Sequence, residues 1–555
     1  MSENPSLLKS PRWLFAGCFA ALITTSFAFI SRIILCTTPA CFPADFALDG
    51  VKTGELIGAG IWPFAISIIL FSLVIDRIGY KVAMFFSFAC YMVYTVMAFM
   101  AYSAVHGATP DDLATAQASG YKLLYWGSVI LGLGNGTVEA FANPVVATLF
   151  SKEKTKWLNI LHAGWPGGLV VGGLTTIGIM GAEGFHDWRI VLGLVMVPAV
   201  VFFVMLVGAN FPVNEREQAG VSYRDMLREL GVFGAFVAFA LIFAQLGQVF
   251  ALPLSQMLGA EQGKVLPWVS YLPWVLACLI AAGFGVYTRS FGRPLLAFLI
   301  IIMMPLATTE IGTDGWITGL MEDPMKHAGF HPAWVLVYTS AIMLVLRLFA
   351  GAIVHRISPV ALLIVSAMLA VAGLFCLSKT SGAGMAVIFA AATLYGVGKT
   401  FFWPTMIGVA SEQCPRGGAL TMNALGGIGM LAVGILGFPF IGYLKETNAV
   451  NSLKDNAPAI VEKVSANEEK EYLLGNYKPM DAKKVEEFSK TASEADKASL
   501  AQAKDAGEFG TLAKMAIFPA FMLACYLAIF FYFKSKGGYK AISISKADEA
   551  PASEM

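Results

Sequence analysis

Charge is what this sequence has least of. Only 14% of its 555 residues are Asp, Glu, Lys or Arg, and 57% are hydrophobic, where soluble proteins carry about 25% charged residues. So few charges cannot keep so much apolar surface in water, which excludes the string of soluble domains that the length alone would suggest. Basic and acidic residues number 38 and 37. With no cationic excess to neutralise phosphates, a nucleic-acid partner is excluded. Cysteine is scarce too, at eight residues, too few for a disulfide scaffold. Six of them (Cys18, Cys90, Cys278, Cys376, Cys414, Cys525) lie in or beside apolar runs, where small buried thiols are ordinary. Cys36 and Cys41 fall instead in the polar connection CTTPACFPAD. They form a small disulfide if that connection is extracytoplasmic, or remain two thiols. No CxxC pair, His-rich spacing, nucleophile elbow or phosphate loop occurs, so neither a metal, a cofactor nor an enzyme is expected.

What the chain has in abundance is apolar runs of about 20 residues, the length that crosses a bilayer. They fall near 13–35, 54–76, 81–104, 121–150, 157–180 and 187–210, then 231–256 and 265–288, then 294–320, 333–356, 359–379, 383–411, 418–444 and 511–533. The first, starting at Trp13, is too long for a signal peptide and has no small-residue cleavage site after it, so it reads as a retained helix. Fourteen spans put both termini on one side. The short loops on that side hold Arg77, Lys81, Lys152, Lys154, Lys156, Arg216, Arg224, Arg228, Arg289, Arg293, Arg356 and Arg416. The excess of Lys and Arg makes that side cytoplasmic, and the expected location is the cytoplasmic membrane. Residues 445–510 interrupt the pattern with ten Lys against thirteen Asp and Glu. Their Ala, Glu and Lys content favours helix, either as a solvated insertion outside the cytoplasm or as a cap over the outer mouth of a pathway.

The two halves echo each other. Gly134-Asn135-Gly136 corresponds to Gly396-Val397-Gly398, Asn143-Pro144 roughly to Trp403-Pro404, LNILHAGWPGG (158–168) to LTMNALGGIGM (420–430), and SLVIDRIGYK (72–81) to GAIVHRISPV (351–360). Duplicated six-helix halves broken by Gly and Pro are the mark of secondary transporters with a midplane site. The expected organisation is an all-α polytopic membrane protein. An N-terminal six-helix bundle spans 1–210, a cytoplasmic linker with two extra helices 211–293, and a C-terminal six-helix bundle 294–555, carrying the 445–510 insertion. The sparse polar content of the extra pair (Gln245, Gln248) reads as a lipid-facing brace.

SLVIDRIGYK resembles the inner-loop motif of the major facilitator superfamily, with Ser72 where that motif usually begins with Gly. LGLGNGTVEAFANP (131–144), the following LNILHAG, and RLFAGAIVHRISP (347–359) resemble the fucose–galactose–glucose proton symporter family. The extra helix pair is a departure from that family; it is similar to the pair inserted in peptide transporters, whose motifs are lacking here. The resemblance implies a major facilitator fold working by alternating access, with Asp76, Arg77 and Arg356 forming a latch that breaks as the halves rock.

Six formal charges lie within spans: Arg32, Glu139, Glu310, Asp314, Arg347 and Lys399. Each costs about 2.5–3.5 kcal/mol at a helix centre and needs a partner or a wet cavity. In the superfamily fold the first, fourth, seventh and tenth core helices line the cavity, and five of the six charges sit there. Arg347 falls on the eighth and reads as structural. Asn135, Glu139 and Asn143 share a helical stripe at i, i+4, i+8, and a carboxylate there is suited to loading and releasing a proton. The family resemblance implies the same, since Glu139 is the Glu of an ExxANP pattern; the plainer reading is a Glu that ties helices together, by hydrogen bonds or to Lys399. Glu310 is the second proton-coupling candidate. Asp314 shares a face with Glu310 and Thr318 and contacts substrate or caps the helix end, while Lys399 and Arg32 are counter-charges or an anion's ligands. His162 titrates near neutrality or packs. Among tryptophans within spans (Trp62, Trp165, Trp316, Trp403), Trp62 and Trp403 beside Pro63 and Pro404 look deepest and would stack on a sugar face.

The expected function is therefore secondary active transport of a monosaccharide or similar polar solute, coupled to protons. One departure from the symporters is Arg32 on a first helix that has no acidic residue, which leaves a small organic anion such as a sugar acid as the alternative. A transporter-like receptor, signalling through 445–510, is a third reading.

Overall fold

In hydrocarbon every backbone N–H and C=O must be satisfied within the segment, which leaves helices as the answer to these apolar runs. The computed structural model describes residues 10–38, 41–48, 50–180, 187–320, 325, 333–354, 356–467, 469–470 and 475–544. Lys326 and the side chains of Trp316 and Thr318 lie outside the described residues. Twelve helices are long and apolar enough to span a bilayer, and two more complete the set of fourteen: Leu113–Leu149, diluted by small and polar residues, and the short Trp334–Leu348.

The N-terminal half comprises α1 (Pro11–Thr37), α2 (Trp62–Ile78), α3 (Tyr80–His106), α4 (Leu113–Leu149), α5 (Gly164–Met180) and α6 (Arg189–Val207). The inserted pair is α7 (Tyr223–Met257) and α8 (Pro267–Thr288). The C-terminal half begins with α9 (Pro294–Ala307, continuing through a π turn at Thr308–Gly312 into Thr313–Leu320), α10 (Trp334–Leu348) and α11 (Pro359–Leu377). It ends with α12 (Met385–Lys399, broken, then Phe402–Gln413), α13 (Gly418–Ala432, a π turn at Val433–Gly437, then Phe438–Asn456) and α14 (Glu494–Met515, then Ile517–Ser535). This is the expected architecture of two six-helix bundles plus two inserted helices.

Membrane helices associate through small residues that let backbones approach. At Gly136 of α4 an added Cβ would run into Phe64 O and Ser67 Oγ of α2, and at Gly427 of α13 it would lie 3.0 Å from Ala65 O of α2. The first contact belongs to one half and the second crosses between halves. Gly136→Val should therefore fold poorly, by roughly 1–3 kcal/mol for an overpacked contact, read as a lower melting temperature of the purified protein. The halves meet along α2 with α13 and α5 with α10, and through the short helix Lys154–Leu161 with the second part of α12. Both described chain ends lie on the face carrying Lys154–Leu161. Phe15 packs edge-on against Trp157 at 5.2 Å, and Tyr539 reaches Glu412.

Of the extra helices, α8 is the most exposed of all spans, as a brace facing lipid would be, whereas α7 packs on α13 and α9. Eight residues into α7 the helix kinks at Gly231, which takes φ 61°, so that Val232 and Phe233 donate to the carbonyls of Ser290 and Phe291 and tie α7 to the connection before α9. The 445–510 insertion is a folded lobe. The helices ending α13 and starting α14 run side by side beyond membrane length and enclose a small core of Leu453, Ile460, Val464, Leu500 and Ala503. Asp505 accepts from Ser381 Oγ at 2.9 Å, which fixes the lobe to the α11–α12 connection. Cys36 and Cys41 are buried free thiols.

Candidate substrate and coupling site

The buried charges gather around a break in α12. Between Lys399 and Phe402 the helical ladder is interrupted, freeing the Thr400 carbonyl and the Trp403 N–H. Arg347 Nε donates to Thr400 O at 2.6 Å, and Glu310 Oε2 accepts from Trp403 N at 3.1 Å. The two side chains pair with each other at 2.7 Å and are almost completely buried. Thus one ion pair satisfies the freed backbone groups that a lone break would leave unpaired in hydrocarbon. Glu310 stands in the π turn of α9, where the extra residue re-aims the side chain, as such turns do at functional sites. The π turn of α13 packs against it, with Gly437 facing Thr308.

Arg347 also reaches across the halves: its Nη1 donates to His162 O at 3.0 Å. On the N-terminal side Asn143 Nδ2 donates to Glu139 Oε2 at 2.7 Å, and His162 Nε2 lies 3.0 Å from Asn143 Oδ1. A carboxamide oxygen can only accept, so His162 carries a proton on Nε2. A continuous chain of contacts therefore runs Glu139–Asn143–His162–Arg347–Glu310. Lys399 pairs with Asp314 one turn beyond Glu310, and its ammonium lies near the Tyr395 ring. Glu139, His162, Glu310, Arg347, Trp165 and Trp403 line one cavity with about 30 Å³ of room, space for roughly a water or two, so the two halves are closed around it. Trp165 stacks on Phe64, with ring centres 6.0 Å apart, to form one apolar wall.

Several expected residues do not join this cavity. Arg32 turns away and donates to Leu56 O at 2.6 Å and Ile57 O at 3.0 Å, satisfying the last carbonyls of the helix Gly50–Gly58. Asn135 accepts from Tyr91 OH at 2.7 Å, and Tyr91 also meets Thr25, so this Asn ties α4 to α3 and α1. Trp62 lines a separate groove with Tyr125 and Gln248. The structure brings in two residues that sequence reasoning set aside. Arg347 was read as structural, and Trp165 takes the place given to Trp62.

The expected latch is also re-wired. Asp76 pairs with Arg216 of the 211–293 linker at 2.8 Å, both side chains being buried, while Asn214 steadies Tyr80 at 3.0 Å. Arg77 instead stacks over Tyr223 at 4.3 Å, and Arg356 is exposed on a turn. The contact that closes this face lies elsewhere: Glu412 Oε1 accepts from Thr155 N at 3.0 Å and Thr155 Oγ1 at 2.6 Å, across the halves. Its other oxygen accepts from Tyr539 OH at 2.7 Å. Burial beside that carboxylate holds the Tyr539 phenol well above its usual range, so it stays a donor. Asn159 adds a bond to Thr405 Oγ1 at 3.2 Å, and Lys154 pairs with Glu215 at 2.5 Å. Glu412→Ala should loosen this closure and raise maleimide labelling of the buried Cys414 several-fold, located by peptide mass spectrometry; unchanged labelling would mean that Glu412 does not hold the face shut.

Two six-helix bundles around a buried, charged cavity are the architecture of a secondary transporter. The family model of the Major Facilitator Superfamily matches residues 20–321, more than half of the chain, and the chain belongs to that superfamily. No curated protein sequence matches it. Among solved structures it is similar to the proton:xylose symporter XylE bound to 6-bromo-6-deoxy-D-glucose (14% identity, 94% of this chain and 96% of that one, TM-score 0.56). It is also similar to the human organic anion transporter MFSD10 (13%, 94% and 100%, 0.54) and to the E. coli fucose:proton symporter FucP (14%, 92% and 99%, 0.49). At such identities the likeness is one of fold.

Proposed function

We propose that this chain carries a monosaccharide or similar polyhydroxylated solute across the cytoplasmic membrane by proton symport, with both termini in the cytoplasm and Glu139 as the proton site. The observation that carries this reading is the charge count. The central cluster holds three carboxylates and two strong cations; Arg347 is taken by Glu310 and Lys399 by Asp314. Among the described residues Glu139 has the His162 imidazole, at 4.0 Å, as its one ion-pair contact, beside the neutral hydrogen bond from Asn143. Neutral when protonated and minus one when not, the cluster favours a bound proton whenever it is shut away from water. Glu310, tied to Arg347 and to the break in α12, passes that change of charge to the C-terminal half. His162 offers a hydrogen bond to a hydroxyl and Trp165 and Trp403 flat rings to a sugar face, while Asn143, Asp314 and Lys399 stand behind the residues that line the cavity.

A small organic anion fits less well, because both cavity cations are already paired and Arg32 points elsewhere. The deciding experiment is solute-induced alkalinisation outside vesicles containing the protein, with neutral sugars screened beside sugar acids. A neutral sugar that draws protons in supports the proposal. A response to acids alone makes this an anion carrier, and solute equilibration without proton movement makes it a uniporter.

A further inference from the structure

A second cavity lies where the helix Gly50–Gly58, α2, α4 and α7 converge. It has about 400 Å³ of room against about 30 Å³ in the Glu139 cavity. Tyr223, at the start of α7, bonds to Leu73 O on the face holding the chain ends. Gln245 stands 13 residues beyond Val232, where α7 resumes after the kink at Gly231, about 20 Å at 1.5 Å per residue, roughly two thirds of a hydrocarbon thickness. Trp126 and Tyr121 stand 23 and 28 residues before Leu149 on the α4 helix, about 35 and 42 Å away. The cavity is thus a groove at the opposite membrane interface, which the proposed orientation makes the outer one. Its walls are Trp62, Tyr125 and Trp126, and Trp126 is half exposed. Its polar groups are Glu55, which accepts from Tyr121 OH at 2.8 Å, the exposed Lys122, and the carboxamides of Gln245 and Gln248. Among the described residues neither Gln makes a side-chain hydrogen bond.

An aromatic belt at an interface explains the rings but not two carboxamides three residues apart, on one face of a helix that is otherwise apolar from Val232 to Leu254. Flat rings beside amide and carboxylate groups are what a sugar needs: stacking for its apolar face, donors and acceptors for its hydroxyls. We propose that this groove is a second binding site, for a sugar ring presented at the outer membrane face by a glycolipid or by free solute. The inserted helix α7 supplies its hydrogen-bonding wall, which gives the extra pair a role beyond bracing. Gln245 Oε1 would lie 3.9 Å from a Cβ at Gly434, in the π turn of α13. An occupant therefore touches α2 and α4 of one half together with the inserted α7, whose Gln245 neighbours α13 of the other half, so binding there joins the N-terminal half to the inserted pair. The site does not depend on proton coupling at Glu139.

The test uses the full-length protein in detergent and native mass spectrometry. Monoglucosyl diacylglycerol is the probe, unglycosylated diacylglycerol the control, and methyl β-glucoside the competitor. Glucolipid should be retained in preference to diacylglycerol in the wild type and in Glu139→Gln. Retention should weaken about tenfold or more in Gln245→Leu/Gln248→Leu, as expected for the loss of two hydrogen bonds. Trp126→Ala serves as the second variant should the double one fail to fold. Displacement by the glucoside assigns the site to solute, and retention despite it assigns the site to lipid; both support the proposal. Equal retention of diacylglycerol, binding indifferent to the groove variants, or loss only in Glu139→Gln overturns it.

Discussion

Glu139→Gln is expected to abolish accumulation while leaving exchange intact. Gln keeps the size of the side chain and its oxygen still accepts from Asn143, which donates to the carboxylate at 2.7 Å in the native protein. It is thereby a fixed copy of the protonated acid. A carrier with this side chain can turn over with solute bound, because the central cluster stays neutral with Arg347 and Lys399 still paired. It cannot release a proton on the inside, so the gradient no longer drives the cycle. With one pH unit imposed, one-for-one coupling is worth about 1.4 kcal/mol, or about tenfold accumulation of solute. The wild type should approach that ratio and the variant should stay at unity, measured as radiolabelled solute in proteoliposomes, with counterflow as the control for folding. A variant that still concentrates solute would remove Glu139 from the coupling mechanism.

Depth along a helix was legible in this sequence; direction around it was not. Glu139, Glu310, Asp314, Arg347 and Lys399 stood out because a charge in hydrocarbon must have a partner, and all five meet near the break in α12. Their pairing was hidden. Arg347 sits in the last turn of a short helix, and only the rotation of that helix decides whether the guanidinium reaches lipid, loop or centre. Arg32 shows the converse: its depth on α1 is as expected, yet its guanidinium answers the carbonyls of Leu56 and Ile57 at the end of a short helix, a partner no periodicity announces. Trp62 likewise faces the groove beside Gln248 and not Glu139. The π turns at Thr308–Gly312 and Val433–Gly437 shift the register of every residue after them, and only the glycines Gly312, Gly434 and Gly437 hinted at them. Arg216 was visible only as one more cytoplasmic charge, because a polar linker carries no pattern that ties it to Asp76.

Arg347→Ala is expected to cost the fold more than any other single change near the cavity, and a paired variant should separate folding from coupling. The substitution would strand the Glu310 carboxylate, which is 5% exposed, and would leave the Thr400 and His162 carbonyls without the donors that now sit at 2.6 and 3.0 Å. Breaking a buried ion pair by removing one partner costs about 3–5 kcal/mol, chiefly through the unpaired charge left behind, whereas replacing both partners with neutral groups of like size is often close to neutral. Arg347→Ala and Glu310→Ala should therefore each lower yield and melting temperature sharply, and Arg347→Met/Glu310→Gln should restore most of both. The restored protein keeps the charge balance at Glu139, because one cation and one anion have been removed together. It loses the only charged bridge in the chain from His162 to the break in α12. Solute binding, measured by tryptophan quenching, should then survive while transport falls by more than about tenfold, since hydrogen bonds from a charged group are worth about 1.5–3 kcal/mol each. If the double variant instead accumulates solute at the wild-type rate, Arg347 and Glu310 serve only to hold the broken helix in place, and the halves must be coupled through the seam of α13 with α2 and α4, where Asn423 Nδ2 donates to Ala140 O at 3.0 Å.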